Sequence, residues 1–183
     1  DEYCGMDPHT VWVDDDYTAA TPGWGVDRFD VIQDGIAAVT DGGTVNVAAG
    51  TYLENVTVGK SLSLLGAGRD TTVIQGVAPL TDAGMFNIAA SNVVIDGFGI
   101  LGVGQKTVRI TQPVQNVQFL NNRVVGAENV ASAGGWALFE SNYNMTQSDL
   151  VIHNNIFVGN NASYLVYLNP LLIDLVFTQN TFE

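Results

Sequence analysis

Four stretches decide the fold: Asn92-VVIDGFGIL-Gly102, Asn116-VQFLNNRVV-Gly126, Asp149-LVIHNNIFV-Gly159 and Asp174-LVFTQNTF-Glu183. Each reads as Asn or Asp, a short apolar strand, a polar turn and a second short strand. Their starts lie 24, 33 and 25 residues apart, which sets a unit of about 24–25 residues with one insertion, placed at 127–148. A third apolar run separates the units each time: Met85–Ile88, Val108–Ile110, Trp136–Phe139 and Leu165–Leu168. Every unit therefore carries three strands.

Strands this short, bounded by Gly, Asn or Asp, cannot bury their apolar faces within one unit, so successive units must stack on a shared core. The expected fold class is all-β, a parallel β-helix of three parallel sheets with equivalent strands about 4.8 Å apart. One sheet should hold 93–95, 117–119, 150–152 and 175–177, the next 100–101, 124–125, 156–158 and Phe182, and the third runs the last. Between the first two sheets, Asp96-Gly97, Asn121-Asn122, Asn154-Asn155 and Gln179-Asn180 share one tight turn. Asn tolerates the left-handed backbone such a bend needs, and stacked Asn side chains bond from coil to coil. These residues read as structural.

Working outward, Val31, Ile32, Gly35, Ile36 and Val39 recur at helical spacing, and Asp41-Gly42-Gly43 ends the pattern. An amphipathic helix there would cap the first coil, covering its apolar side chains and unpaired strand edges. The expected organisation is an extended N-terminal segment at 1–28, a capping helix and turn at 29–43, and β-helix coils over 44–183 with no evident C-terminal cap. That last feature suggests a fragment of a longer solenoid or a coil covered by a partner.

The 183 residues carry 19 Asp+Glu against 6 Lys+Arg, a formal net charge of −13, which argues against a nucleic-acid partner. An apolar content of 46% with 14% charged residues describes a folded chain, and no apolar run approaches the length of a membrane span. The start at Asp1, without a leader, reads as a trimmed product. Cys4 has no activating base near it in sequence, and the Asn55, Asn144 and Asn161 sequons are of a kind that chance produces in Asn-rich chains.

The stretch Val31-IQDGIAAVTDGGTVNVAAGTYLENVTVGKSLSLLGAGRDTTVIQ-Gly76 resembles the opening of right-handed parallel β-helix proteins of the pectin lyase-like superfamily, nearest to pectin methylesterases and extracellular repeat proteins with that opening. Its hallmarks are the helix ending in Asp41-Gly42-Gly43, a Gly50-Thr-Tyr52-Leu-Glu54 turn, Val56–Val58, and the strand and turn of 62–68. The resemblance implies a right-handed coil and an extracellular or cell-surface location. It brings no activity with it. The methylesterase motifs (Gln-Asp, Asp-Thr-Leu-Tyr and Asp-Phe-Ile-Phe-Gly) are absent. Of the grouped carboxylates and Arg base that resemblance to a pectate lyase would require, the sheet faces offer one interior-strand Arg, Arg109, and no neighbouring carboxylate except Glu140 just past Phe139.

Candidate ligand-binding residues come from the third sheet and the insertion. Alternation in Val108-Arg109-Ile110 points Arg109 outward, and the same register turns Asn87 and Tyr167 outward, with Phe139 a further member of the strip. Such a strip suits a sugar, because aromatic faces stack on pyranose C–H surfaces while Arg and Asn supply directional hydrogen bonds. Trp136, Glu140 and Tyr143, in or beside the insertion, join the set because long excursions from a repeat tend to carry specific contacts.

Asp149 and Asp174 would stack about 5 Å apart, the separation of a retaining glycosidase pair or a shared calcium. Asn92 and Asn116 occupy the same column, so an Asx turn position is the simpler reading. Asp14-Asp15-Asp16 reads as a solvated acidic turn able to hold calcium weakly, and His9 and His153 lack partners at metal-ligand spacing. The leading expectation is a non-catalytic extracellular or cell-surface spacer presenting a carbohydrate- or partner-binding face, with no catalytic residue, cofactor or metal. The rivals are a fragment of a polysaccharide lyase, hydrolase or esterase, and a module that self-associates through its C-terminal coil.

Overall fold

The computed structural model describes residues 7–77, 84–103, 106–127, 137–141, 146–159, 164–168 and 171–183. Their strands form three parallel sheets. The eight-stranded sheet holds β1 (Thr10–Val13), β2 (Arg28–Phe29), β3 (Gly43–Val47), β6 (Leu62–Gly66), β9 (Val93–Asp96), β12 (Val114–Leu120), β15 (Gln147–His153) and β18 (Leu172–Thr178). The six-stranded sheet stacks β4 (Gly50–Leu53), β7 (Thr72–Gln75), β10 (Gly99–Leu101), β13 (Arg123–Val125), β16 (Ile156–Val158) and β19 (Thr181–Phe182). The five-stranded sheet stacks β5 (Val56–Val58), β8 (Phe86–Ile88), β11 (Val108–Ile110), β14 (Ala137–Ser141) and β17 (Tyr164–Tyr167). This is an all-β right-handed parallel β-helix with one helix, α1 (Ile32–Ala38).

The register follows the sequence columns residue by residue. Ile95, Phe119, Ile152 and Phe177 align across β9, β12, β15 and β18. Inside the coil the aromatic rings continue the order, with Phe119–Phe139 centroids 5.1 Å apart and Phe139–Phe157 6.2 Å apart, both edge-to-face. In the last coil Leu175, Val176 and Phe182 stay exposed.

Two Asn ladders hold the turn between the first two sheets. On the inside, Phe98 N donates to Asn122 Oδ1 (2.9 Å), Asn122 N to Asn155 Oδ1 (2.8 Å) and Asn155 N to Asn180 Oδ1 (2.9 Å). The same side chains reach back through Nδ2 to the carbonyls of Ile95, Phe119 and Ile152. Buried backbone groups at a bend have no strand partner, and the Asn amides satisfy them. On the outside, Asn121 Nδ2 donates to Asp96 Oδ1 and Asn154 Nδ2 to Asn121 Oδ1, each at 2.7 Å. Asn121, Asn154 and Gln179 adopt φ of 54–56°, and Asn92, Asn116, Asp149 and Asp174 φ of 53–55°, the left-handed region Asx residues tolerate. Asp149 and Asp174 are exposed, left-handed residues within β15 and β18.

Three features differ from the sequence reading. The N-terminal segment is not merely extended, because β1 pairs with β3 and buries Val11 and Val13 in the core. Gly50–Leu53 is a strand of the six-stranded sheet rather than a turn, with Tyr52 packed inside. The Asp14–Asp16 run is tied into the fold: Asp14 Oδ1 accepts from Asp16 N (3.1 Å) and Asp15 Oδ2 from Thr51 N (3.2 Å).

Helix α1 occupies only the centre of the 29–43 span and is capped from the first coil. Val31, at the N-cap, offers no side-chain bond, and Glu54 supplies both, accepting from Ile32 N (2.8 Å) and Gln33 N (2.9 Å). Lys60 Nζ donates to the Ala37 and Val39 carbonyls at the other end. Burial raises the Glu54 carboxyl above its ordinary value, against the lowering effect of those two N–H groups.

Candidate functional site

Parallel pairing in the five-stranded sheet places one residue of each strand side by side on its outer face: Thr57, Asn87, Arg109, Glu140 and Tyr167. The flanking Val108, Ile110 and Phe139 are fully buried in the core, so alternation sends the polar members outward. Asn87, Arg109 and Tyr167, expected as one strip, and Glu140, chosen with the insertion, thus stand in one column. Phe139 does not belong to it. Its ring points inward, and the next residue, Glu140, takes the outer place within β14 rather than beyond its end.

The column is not the open strip that alternation alone suggests. Arg109 is 8% and Asn87 9% exposed, while Tyr167 keeps 37%. Arg109 Nη2 lies 3.2 Å from Glu140 Oε1, and Lys106 Nζ lies 3.8 Å from the same oxygen. Asn87 Oδ1 accepts from Thr111 Oγ1 at 2.6 Å. Charges this far out of water require partners, and the carboxylate between two cations supplies them. The arrangement sets a mostly buried carboxylate, held by Arg109, next to the more exposed Tyr167.

Lys106 was missed by the sequence reading, although a signal existed. The chain has only 6 Lys+Arg, and two of them stand three residues apart at Lys106 and Arg109. Trp136, Tyr143 and most of the 127–148 insertion lie outside the described residues, as do Cys4 and the Asn144 and Asn161 sequons. Among the described residues, no three His, Cys, Asp or Glu side chains gather into a site for a metal ion. No helix among them is long and apolar enough to cross a membrane.

No protein-family model matches the chain, and no curated protein matches it. Two solved structures share its architecture. Pectin methylesterase PemA from Erwinia chrysanthemi superimposes with a TM-score of 0.55 at 15% identity, over 81% of this chain and 53% of that one. Pectin methylesterase from carrot gives 0.54 at 14% identity, over 91% of this chain and 52% of that one. The chain thus spans about half the length of each. At such identities the likeness is one of fold, the right-handed parallel β-helix.

Proposed function

We propose that this chain is an extracellular or cell-surface β-helix module that recognises a polysaccharide through the outer face of its five-stranded sheet and does not cleave it. The observation that supports this most is the in-register neighbourhood of Glu140 and Tyr167. An exposed ring offers a stacking surface for a sugar, and a carboxylate whose position Arg109 fixes accepts hydroxyl hydrogen bonds in a set direction. The column holds one carboxylate, whereas glycoside hydrolysis through paired acids needs two. Pectic polysaccharides are the first class to try, because both similar structures are pectin methylesterases.

The experiment is a glycan-array and polysaccharide-depolymerisation screen of the purified chain, with and without added calcium. Binding without product is the expected result. New reducing ends, unsaturated products or released methanol would overturn the reading and favour an enzyme fragment, with Glu140, Asp149 and Asp174 the first residues to replace.

A further inference from the structure

The opposite side of the coil carries a second surface that the five-stranded sheet does not share. On the outer face of the eight-stranded sheet, Trp12, Asn46, Leu65 and Asp96 align in register across β1, β3, β6 and β9. Three inter-strand steps make this row about 14 Å long. Two cavities lie along it, of about 280 Å³ at the Trp12 and Tyr17 end and about 650 Å³ at the Asp96 and Asn121 end, and both are lined by Leu65, Gly66 and Ala67. They adjoin as one open groove.

The groove has a built rim. Between β6 and β7 the chain takes five residues, 67–71, where later coils turn in two, such as Asn121-Asn122. That longer loop is closed on itself, with Thr71 N and Thr72 N both donating to Gly68 O (3.0 and 2.8 Å). From it Arg69 reaches over the following coils, and its Nη1 donates to Asn154 O at 2.8 Å. At the other end the Arg28 guanidinium lies 3.9 Å from the Trp12 ring centroid and pairs with Asp27 at 2.8 Å, which holds the indole in place.

The chemistry of the lining names the ligand class. A half-exposed indole and Tyr17 offer apolar platforms, and Asn46, Asp70 and Asp96 offer amide and carboxylate groups. Asp96 uses one oxygen for Asn121, and its second accepts no hydrogen bond among the described residues. Acceptors in excess call for a ligand rich in donors. Arg69 lines the same cavity but its Nη1 is held on Asn154 O, so Asp70 and Asp96, with Asp14–Asp16 close by in the chain after β1, locally disfavour an anionic ligand. We infer that the groove binds a neutral, linear oligosaccharide, its rings on Trp12 and Tyr17 and its hydroxyls on Asp70 and Asp96. This goes beyond the recognition face of the five-stranded sheet and does not depend on it.

The test is calorimetric titration of the full chain with cellohexaose and xylohexaose, and with a galacturonic acid hexamer as the anionic control, followed by Trp fluorescence. Saturable binding of a neutral hexamer is expected, weakened about tenfold in Trp12→Ala and unchanged in Leu53→Ala, at an exposed position of the six-stranded sheet. Should Trp12→Ala lose its fold by circular dichroism, the exposed Asp70→Ala carries the same expectation. The inference is overturned if neither neutral hexamer binds at millimolar concentration, or if binding survives both groove substitutions. It is also overturned if the galacturonic acid hexamer binds the groove more tightly than the neutral ones. Neutral-hexamer binding lost in Tyr167→Ala alone would place the sugar on the five-stranded sheet instead.

Discussion

Arg109 and Glu140 stand opposite one another on adjacent strands, their side chains 10% and 14% exposed and their charged atoms 3.2 Å apart. Removing one partner of a buried pair leaves the other's charge uncompensated by it, whereas replacing both with apolar groups takes both charges out of the interior. Glu140→Ala is therefore expected to cost about 3 kcal/mol in urea unfolding. The double variant Arg109→Met/Glu140→Leu removes the Arg109 charge but leaves Lys106, 3.8 Å from the same oxygen, without the carboxylate, so it should recover only part of that loss. Equal destabilisation in both variants would show that the pair does not act as a unit.

The inner Asn ladder makes a second prediction. Asn155 satisfies the Asn122 N–H and the Phe119 carbonyl at once, each at 2.8 Å and both buried. Asn155→Ala leaves both groups unmet, at a cost of about 2–4 kcal/mol. Asn154→Ala, one residue away but outside, loses an amide with more access to water and should cost less. A reversed order in thermal melts would contradict the assignment of inner and outer ladders.

The outer Asx column is imperfect in an informative place. Asn116 Nδ2 donates to Asn92 Oδ1 at 3.0 Å, but the next member, Asp149, has no N–H to offer Asn116. Asp149→Asn keeps the left-handed turn and adds the missing donor, so it should raise stability by about 0.5 kcal/mol. Asp149 Oδ2 accepts from Ser148 Oγ at 3.0 Å, and a lower melting temperature would show that this bond to the carboxylate outweighs the added donor.

Glu54 sets a pH dependence. Burial raises its carboxyl above the ordinary 4.5, so the folded state binds the proton more tightly than the unfolded chain does. The stability this group contributes is fully present below pH 4.5 and is lost as pH rises through the higher folded value. Glu54→Gln, which retains a carbonyl to accept one helix N–H, should remove that segment of the stability–pH curve. An unchanged slope between wild type and variant would contradict the assignment.

Much of the fold was legible because the repeats state it locally. Asn92, Asn116, Asp149 and Asp174 mark the coil starts, and two-residue alternation assigns inner and outer faces within each strand. What alternation lacks is any account of what covers a face, which is why Arg109 was expected in the open and is 8% exposed. It also depends on where the strand is taken to end, and a run that stopped at Phe139 left Glu140 outside β14. Contacts distant in sequence carried no local mark: Glu54 on Ile32, Asp15 on Thr51 and Arg69 on Asn154 each join residues that no short window contains. The groove beside Trp12 went unread for the same reason, since β1 joins the sheet only through its long-range pairing with β3.

The central claim, that the outer face of the five-stranded sheet recognises glycan without cleaving it, is tested most directly by titrating wild type and Tyr167→Ala with pectic oligosaccharides while assaying the same samples for products. Saturable binding by wild type, weakened about tenfold in Tyr167→Ala and without product from either, is the predicted result. Binding indifferent to Tyr167, no binding at all, or product formation by the wild type would contradict it.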